Sequence, residues 1–412
     1  MKPTVVLAYS GGLDTSYCIP YLQEKKGYDV VSVTVDTGGF QAGEIAGLEK
    51  RARTLGVIEH RTIDARQDVF DRYASYLIKG NVLRGALYPL SVAAERTAQA
   101  DAVARVAREL KAQAVSHGST GAGNDQVRFD IAFSVLLPGV PVLTPIRDER
   151  LSRKAEYEFL KSRGVAIEKR VEEYSINTGL WGTTIGGGPT HDPWAEIPDE
   201  VYQRAAGAEI CHDREYVEIA FEKGVPAALG GKRLSGVQLV SELGTLCRRH
   251  RVGRAVHLGD TVLGIKGRIA FEAGAAIVAI AAHRELEKLT TTSWQRFWKD
   301  HLGDFYGKML HEGQYFEPAL RDIEALIDQS QERVSGDVRV RLDDAHFAVV
   351  GVKSPNSLMN AAAGVYGEMP KLWANDDPRG YSAIAGVPSR LWSSVVGNAF
   401  GGVGGGDGRG GK

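Results

Sequence analysis

The chain has 412 residues, 43% apolar and 25% charged, with 50 basic against 51 acidic side chains and a formal net charge of −1. That length allows two domains with sizeable cores, and the even charge balance excludes a broad basic field for nucleic acid or a long acidic tail. Three isolated cysteines, Cys18, Cys211 and Cys247, form no C-x-x-C pair, which argues against a zinc knuckle or disulfide framework and fits a reducing cytoplasm.

Strand and helix patterns alternate over the first ~165 residues, as in a parallel sheet covered on both faces. Residues 4–9 read as a strand, 15–25 as a helix kinked at Pro20, 29–36 as a β-branched strand, 41–55 as a helix and 58–63 as a strand. Helices follow over 66–79 and 90–111, then a strand over 114–117, a helix over 125–136, a strand over 142–145 and a helix capped by Ser152. From Tyr174 the texture changes. A Gly/Trp-rich stretch leads into hairpins at 216–222/226–229 and at 255–258/262–266, the second turning at Gly259-Asp260. Helices are expected at 235–249, 273–289, 293–310 and 318–333, and strands at 337–342 and 347–352. The last ~45 residues read as an extended arm ending in a disordered glycine tail, 401–411. The opening apolar run is too short for a secretory signal, and the small-apolar stretch 273–282 is half of what a bilayer crossing needs.

The most informative segment is Ser10-Gly11-Gly12-Leu13-Asp14-Thr15-Ser16, set between the first strand and the first helix. A Gly turn opening a helix aims several backbone N–H groups at one point, where the macrodipole also favours an anion. No G-x-x-x-x-G-K-[ST] occurs, so the turn suits a departing pyrophosphate, and hence attack at the α-phosphate of ATP rather than the γ-phosphate. A second Gly-rich loop, 117–123, opens the helix carrying Asn124, Asp125 and Arg128. An amide and a guanidinium four residues apart share a face and suit an amino-acid head group; the alternative is a surface Asp125–Arg128 pair. In open α/β sheets ligands lie beyond the carboxyl ends of the strands, so both loops and Asp36–Gly39 are expected on one rim.

The S-G-G-x-D-x-S pattern resembles the PP-loop ATP pyrophosphatase superfamily. With Tyr88-Pro89-Leu90, the run from His117 to Phe129, Tyr174-Ser175-Ile176-Asn177, Leu180-Trp181-Gly182, Phe221 to Pro226, Arg249-His250 with Val252-Gly253-Arg254, and Ala282 to Glu287, the chain resembles the argininosuccinate synthase family, as a divergent bacterial-type member. The resemblance implies an α/β fold: a PP-loop (adenine nucleotide alpha hydrolase-like) domain over 1–168, an α+β synthetase domain over 169–365, and an arm over 366–412. It also implies a citrulline–aspartate ligase using ATP and Mg²⁺ through a citrullyl-adenylate, in arginine biosynthesis, working as a cytoplasmic homotetramer without nucleic-acid or membrane partners. Ala8, Tyr9, Ser10, Gly11, Gly12, Leu13, Asp14, Thr15 and Ser16, with Val35 and Gly118, would hold ATP. Thr120, Asn124 and Asp125 would hold aspartate, and Tyr88, Asn124, Arg128, Ser175 and Thr184 citrulline. Asp14, Asp125 and Arg128 would serve the chemistry, and no residue is assigned as a dedicated metal ligand. Val92, Gly259 and Phe271 depart from the family at citrulline-facing positions; Ser91, Glu95, His257 or Asp260 would compensate, and a modified ureido acceptor is the alternative substrate. An RNA-modifying or amidotransferase-type PP-loop enzyme would want catalytic thiols, a glutaminase domain or a basic surface. A nucleotide sensor would not need Asp14, Asn124, Asp125 and Arg128.

Overall fold

Strand β1 (Thr4–Ala8) is apolar and fully buried over Val5, Val6 and Leu7 because both of its faces are covered. It lies at the centre of an all-parallel sheet with β2 (Asp29–Asp36), β3 (Glu59–Asp64), β4 (Ala114–Ser116) and β5 (Val142–Leu143), in the order β3-β2-β1-β4-β5. The covering helices are α1 (Leu13–Glu24), α2 (Glu44–Thr54), α3 (Arg66–Val69), α4 (Ser75–Lys79), α5 (Ser91–Glu109), α6 (Asp125–Leu136), α7 (Pro145–Glu149) and α8 (Arg153–Lys161). The two-residue period of a strand sends Val5 and Leu7 to a core with Cys18, Ile19 and Leu22 of α1, and Val6 to another with Val103, Phe129 and Phe133 of α5 and α6. The carboxyl ends of β1, β2 and β4 sit side by side, so the loops after them share one rim. The structure, a computed structural model, describes residues 2–150, 152–163, 165, 174–203, 210–369 and 371–396.

Three expectations in this half need adjusting. The helix expected over 66–79 is interrupted by a π turn, Phe70–Ala74. Pro145 opens α7 instead of ending β5, since its fixed φ suits a first helical turn. The first helix, expected over 15–25, begins two residues earlier and runs Leu13–Glu24 with Pro20 inside it. The Ser152 cap is present: its side chain accepts from Ala155 N–H at 3.3 Å.

The second half is antiparallel. Its strands are β6 (Tyr174–Gly179), β7 (Gly182–Gly187), β8 (Glu215–Glu222), β9 (Val225–Leu229), β10 (Lys232–Arg233), β11 (Arg254–Asp260), β12 (Lys266–Glu272), β13 (Gly336–Asp343) and β14 (His346–Lys353). They form two sheets, ordered β10-β9-β8-β13-β14 and β11-β12-β7-β6. Helices α9 (Asp199–Gln203), α10 (Gly236–Arg249), α11 (Gly274–Thr290), α12 (Ser293–His311) and α13 (Ala319–Gln331) accompany them. Alternate residues Val217, Ile219 and Phe221 of β8 pack with Val338, Val340 and Leu342 of β13 and with α10 and α11. The alanine-rich stretch of α11 is buried there, as a core helix. The Gly/Trp-rich stretch, read only as a lead-in, forms the β6–β7 hairpin. The hairpin expected to turn at Gly259-Asp260 instead keeps both in β11 and turns over 261–265.

The chain falls into two compact units, Met1–Asn356 and Ser357–Lys412. The parallel sheet and both antiparallel sheets belong to the first. The second, expected to be an extended arm, contains α14 (Asp377–Ala385) and α15 (Val387–Val396), neither with a buried residue; the glycine tail lies outside the described residues.

Candidate active site

The turn after β1 is shaped by its glycines. Gly11 has φ +73°, and a Cβ there would meet Leu48 Cδ2 at 2.1 Å. Gly12 caps α1 with extended backbone and no side-chain cap, so no cap side chain takes up the first-turn N–H groups. The loop is braced from within: Ser10 N–H donates to Thr15 Oγ1 at 3.3 Å and Ser16 Oγ to the Gly11 carbonyl at 3.4 Å. From outside, Arg51 Nη1 donates to the Gly11 carbonyl. The Tyr9 side chain is buried in the core, with its hydroxyl pKa raised chiefly by burial, so only its backbone is left for a nucleotide. Val35 is likewise buried near the end of β2.

Gly118 closes the second loop onto the first. A Cβ there would meet Thr15 Cγ2 at 2.9 Å, Thr15 N at 3.1 Å and Asp14 C at 3.3 Å. Asp14 lies beside Glu156, whose pKa is raised well above the carboxylate range by burial and by Asp14 itself. Glu156 is therefore mostly neutral near pH 7. Among the described residues no group of three or more His, Cys, Asp or Glu side chains could hold a metal ion.

The carboxylate of Asp125 is gripped by two cations. Arg96 Nε donates to Oδ2 at 2.8 Å and Arg128 Nη1 to Oδ1 at 2.9 Å. Burial opposes ionisation, but Arg96 and Arg128 overcome it and hold the carboxyl below its usual range. The Asp125–Arg128 pair, weighed as a surface alternative, is present but belongs to a half-buried network, with Arg128 only 4% exposed. Its depressed basicity makes Asp125 a poor proton acceptor and suits it to positioning. Arg96 Nη2 continues to Asn177 Oδ1 of β6 at 2.7 Å. Asn124 Oδ1 accepts from Val262 N–H at 2.9 Å, tying α6 to the β11–β12 turn.

Strand register gathers the remaining residues. Asn177 pairs with Thr184, Thr184 with Phe271, and Phe271 with Ala255. Directly paired residues share a face, as do residues two apart, so Ser175, Asn177, Thr184, Phe271, His257 and Gly259 all lie on one face of this sheet. The Tyr88 ring meets Phe271 at 5.3 Å and stacks on His257 at 5.6 Å. Trp181 fixes the assembly: its Nε1 donates to the Pro89 carbonyl at 2.9 Å, while Leu180 N–H donates to the Thr37 carbonyl at 2.7 Å. One turn thereby joins the β2 loop to the Tyr-Pro-Leu segment. Thr120 and Ser175 are exposed at the margins.

Sequence reasoning missed Arg96, Arg84 and His311. Arg96 lies on an alanine-rich helix where a lone cation reads as solvated, and His311 is the last residue of α12, 183 positions from the Arg128 it touches. Glu95, named as a compensating group, is buried with its pKa pushed up to about 8 by burial against the pull of Arg96. It is mostly neutral at pH 7 and supplies no full negative charge.

Comparison with known proteins gives a consistent picture. The family model described as "Arginosuccinate synthase N-terminal HUP domain" matches residues 4–166, and "Arginosuccinate synthase C-terminal domain" matches 174–392. The argininosuccinate synthase of Methanocaldococcus jannaschii is 39% identical over 358 residues, 87% of this chain and 90% of that protein. Those of Trichodesmium erythraeum and Pyrococcus furiosus are each 38% identical, covering 95% and 94% of this chain and 98% and 93% of the relatives.

Proposed function

This chain belongs to the argininosuccinate synthase family, and from that premise we propose how its residues divide the work of an ATP-dependent ligase that joins citrulline to aspartate in arginine biosynthesis. The family relationship favours citrulline over a modified ureido acceptor. The observation that carries the assignment is the seating of Gly118 on Asp14 and Thr15. It puts the helix of Asn124, Asp125 and Arg128 beside a loop suited to pyrophosphate.

A ureido carbon is a poor electrophile because its nitrogens share their lone pairs with it. The ureido oxygen attacks the α-phosphorus of ATP, and the bond to the bridging oxygen breaks with pyrophosphate as leaving group. Backbone N–H groups at Ser10–Ser16 stabilise the charge that develops on it. The aspartate amine then attacks the activated carbon, AMP leaves, and the amine gives up a proton. Asn124 and Asp125, with Thr120 at the margin, position aspartate. Arg128, Tyr88, Thr184 and Ser175 position citrulline, Arg128 as a catalytic residue through direct contact with substrate. Mg²⁺ requires only one or two carboxylates when phosphates supply further oxygens, and Asp14 in the first turn of α1 is the side chain placed to provide one.

A homotetramer is part of the same proposal. It is supported by the apolar residues Ile384, Leu391 and Val395 that α14 and α15 expose. Purified protein given ATP, Mg²⁺, aspartate and citrulline should yield AMP and a product weighing the two amino acids less one water. Formation of ADP, or of AMP without that adduct, would overturn the assignment.

A further inference from the structure

Arg84 belongs to no motif, yet the structure sets it in the acceptor site. Its N–H donates to the Tyr88 carbonyl at 2.8 Å and Tyr88 N–H donates back to the Arg84 carbonyl at 3.0 Å, so the two residues move as one turn. Its guanidinium donates to the Asp260 carbonyl at 2.5 Å and contacts His311 Nε2. Across the same ring, Arg128 Nη2 lies 3.2 Å from Nδ1, and Arg128 Nε donates to the His311 carbonyl at 3.1 Å.

This arrangement is one acceptor short. Burial, Arg128 and Arg84 push the His311 pKa down to about 3, so the ring is neutral, with one N–H and one lone pair. A guanidinium only donates. The single lone pair can serve one arginine, while the ring N–H opposes the other. Nearby anions do not make up the deficit, since Asp125 is already shared between Arg96 and Arg128, the Asp260 carboxylate pairs with Lys266 at 2.6 Å, and the Glu312 carboxylate pairs with Lys308. His257, stacked on Tyr88, adds a buried Nε2 with no hydrogen-bond partner. Two guanidiniums facing one another across a neutral ring with one lone pair leave N–H donors over, and a carboxylate supplies several lone pairs in a geometry that a guanidinium fork matches.

We propose, on the basis of the acceptor-site assignment above, that Arg84 is a specificity-determining residue: with Arg128 across His311, it clamps the carboxylate of the ureido substrate. Aspartate, held from the Asn124–Asp125 side, is not its ligand.

The test uses the full chain, with the wild type first shown to form AMP in a citrulline-dependent way; failure there would sink the function assignment and this proposal together. In Arg84→Gln the citrulline KM should rise at least tenfold while the KM values for ATP and aspartate stay within twofold. Arg84→Lys should recover only part of the loss, because an ammonium cannot make the bidentate contact. The descarboxy analogue 4-aminobutylurea, measured as a competitive inhibitor, should bind wild type and Arg84→Gln equally well. A citrulline KM unchanged in Arg84→Gln, an equal loss for citrulline and the analogue, or a rise in the aspartate KM instead would each overturn the proposal. Thermal melts of both variants check the fold, and direct citrulline titration without ATP reads the same discrimination independently of turnover.

Discussion

Asp125→Ala removes the carboxylate that two guanidiniums share, and its cost can be worked from the geometry. Both bonds are below 3 Å, and the arginines lose their common anion while staying where the fold holds them. Breaking a fully buried pair by deleting one partner costs ~3–5 kcal/mol, because the charge left behind remains desolvated. The Asp125 side chain is 32% exposed, against 15% for Arg96 and 5% for Arg128. Water screens the cations in part, and the expected loss falls to about 2–3 kcal/mol. With an unfolding entropy of ~2.1 cal/mol/K per residue, a unit of this size gives a Tm drop of about 3–4 °C. Differential scanning calorimetry at pH 7 reads this directly. Adding Arg96→Met should recover part of the loss, since one stranded charge is then removed. A Tm within 1 °C of wild type for Asp125→Ala, or a further fall on adding Arg96→Met, would refute the claim that Asp125 neutralises these cations.

The other expectations are read by stability or turnover. Gly12 has φ −70° and only Ser10 Oγ, at 3.6 Å, near a built Cβ; Gly12→Val should leave Tm within about 2 °C while abolishing ATP–pyrophosphate exchange, and retained exchange would remove the turn from the phosphate site. Glu95 sits at about 8 in the fold against ~4.3 in an unfolded chain, so its contribution to stability is complete below that lower value and is lost as pH rises through 8. Glu95→Gln should match wild type near pH 4.5 and exceed it at pH 9 on the order of a few kcal/mol in urea unfolding; curves parallel in pH would show that Glu95 ionises normally. His283 is held down to about 4, mainly by burial, and His311 to about 3. Both lie below the unfolded ~6.5, so the stability they contribute is complete above that value and fades as pH falls towards 3–4. The acid limb of the unfolding midpoint should flatten in His283→Gln, and an unchanged slope would count against the buried neutral ring.

Much of the first half was legible because its signals are local. Val5, Val6 and Leu7 announce a doubly covered strand, the Ser-Gly-Gly turn announces exposed backbone donors at a helix start, and Ser152 fulfils its cap. The Ala273–Ala282 stretch reads as a core helix and is one. Local cues failed where two conformations compete over a few residues. Pro145 could end a strand or begin a helix, and Gly259-Asp260 looks like a tight turn although pairing with Gly267 and Lys266 draws both residues into β11. That slip matters to the site, because register decides which face each side chain takes.

The sequence by itself determined the glycine turn that opens α1, the parallel sheet around it and the family, since each depends on residues adjacent along the chain or on their order. Only the tertiary structure decided the electrostatics around Arg128. Arg84, Arg96, Arg128, Asn177 and His311 come from a turn, three helices and a strand, and they interact through distances of about 3 Å that chain spacing does not encode. Burial then set their protonation: a neutral His311 between two guanidiniums and a largely neutral Glu95 follow from desolvation, which exists only once the chain has folded.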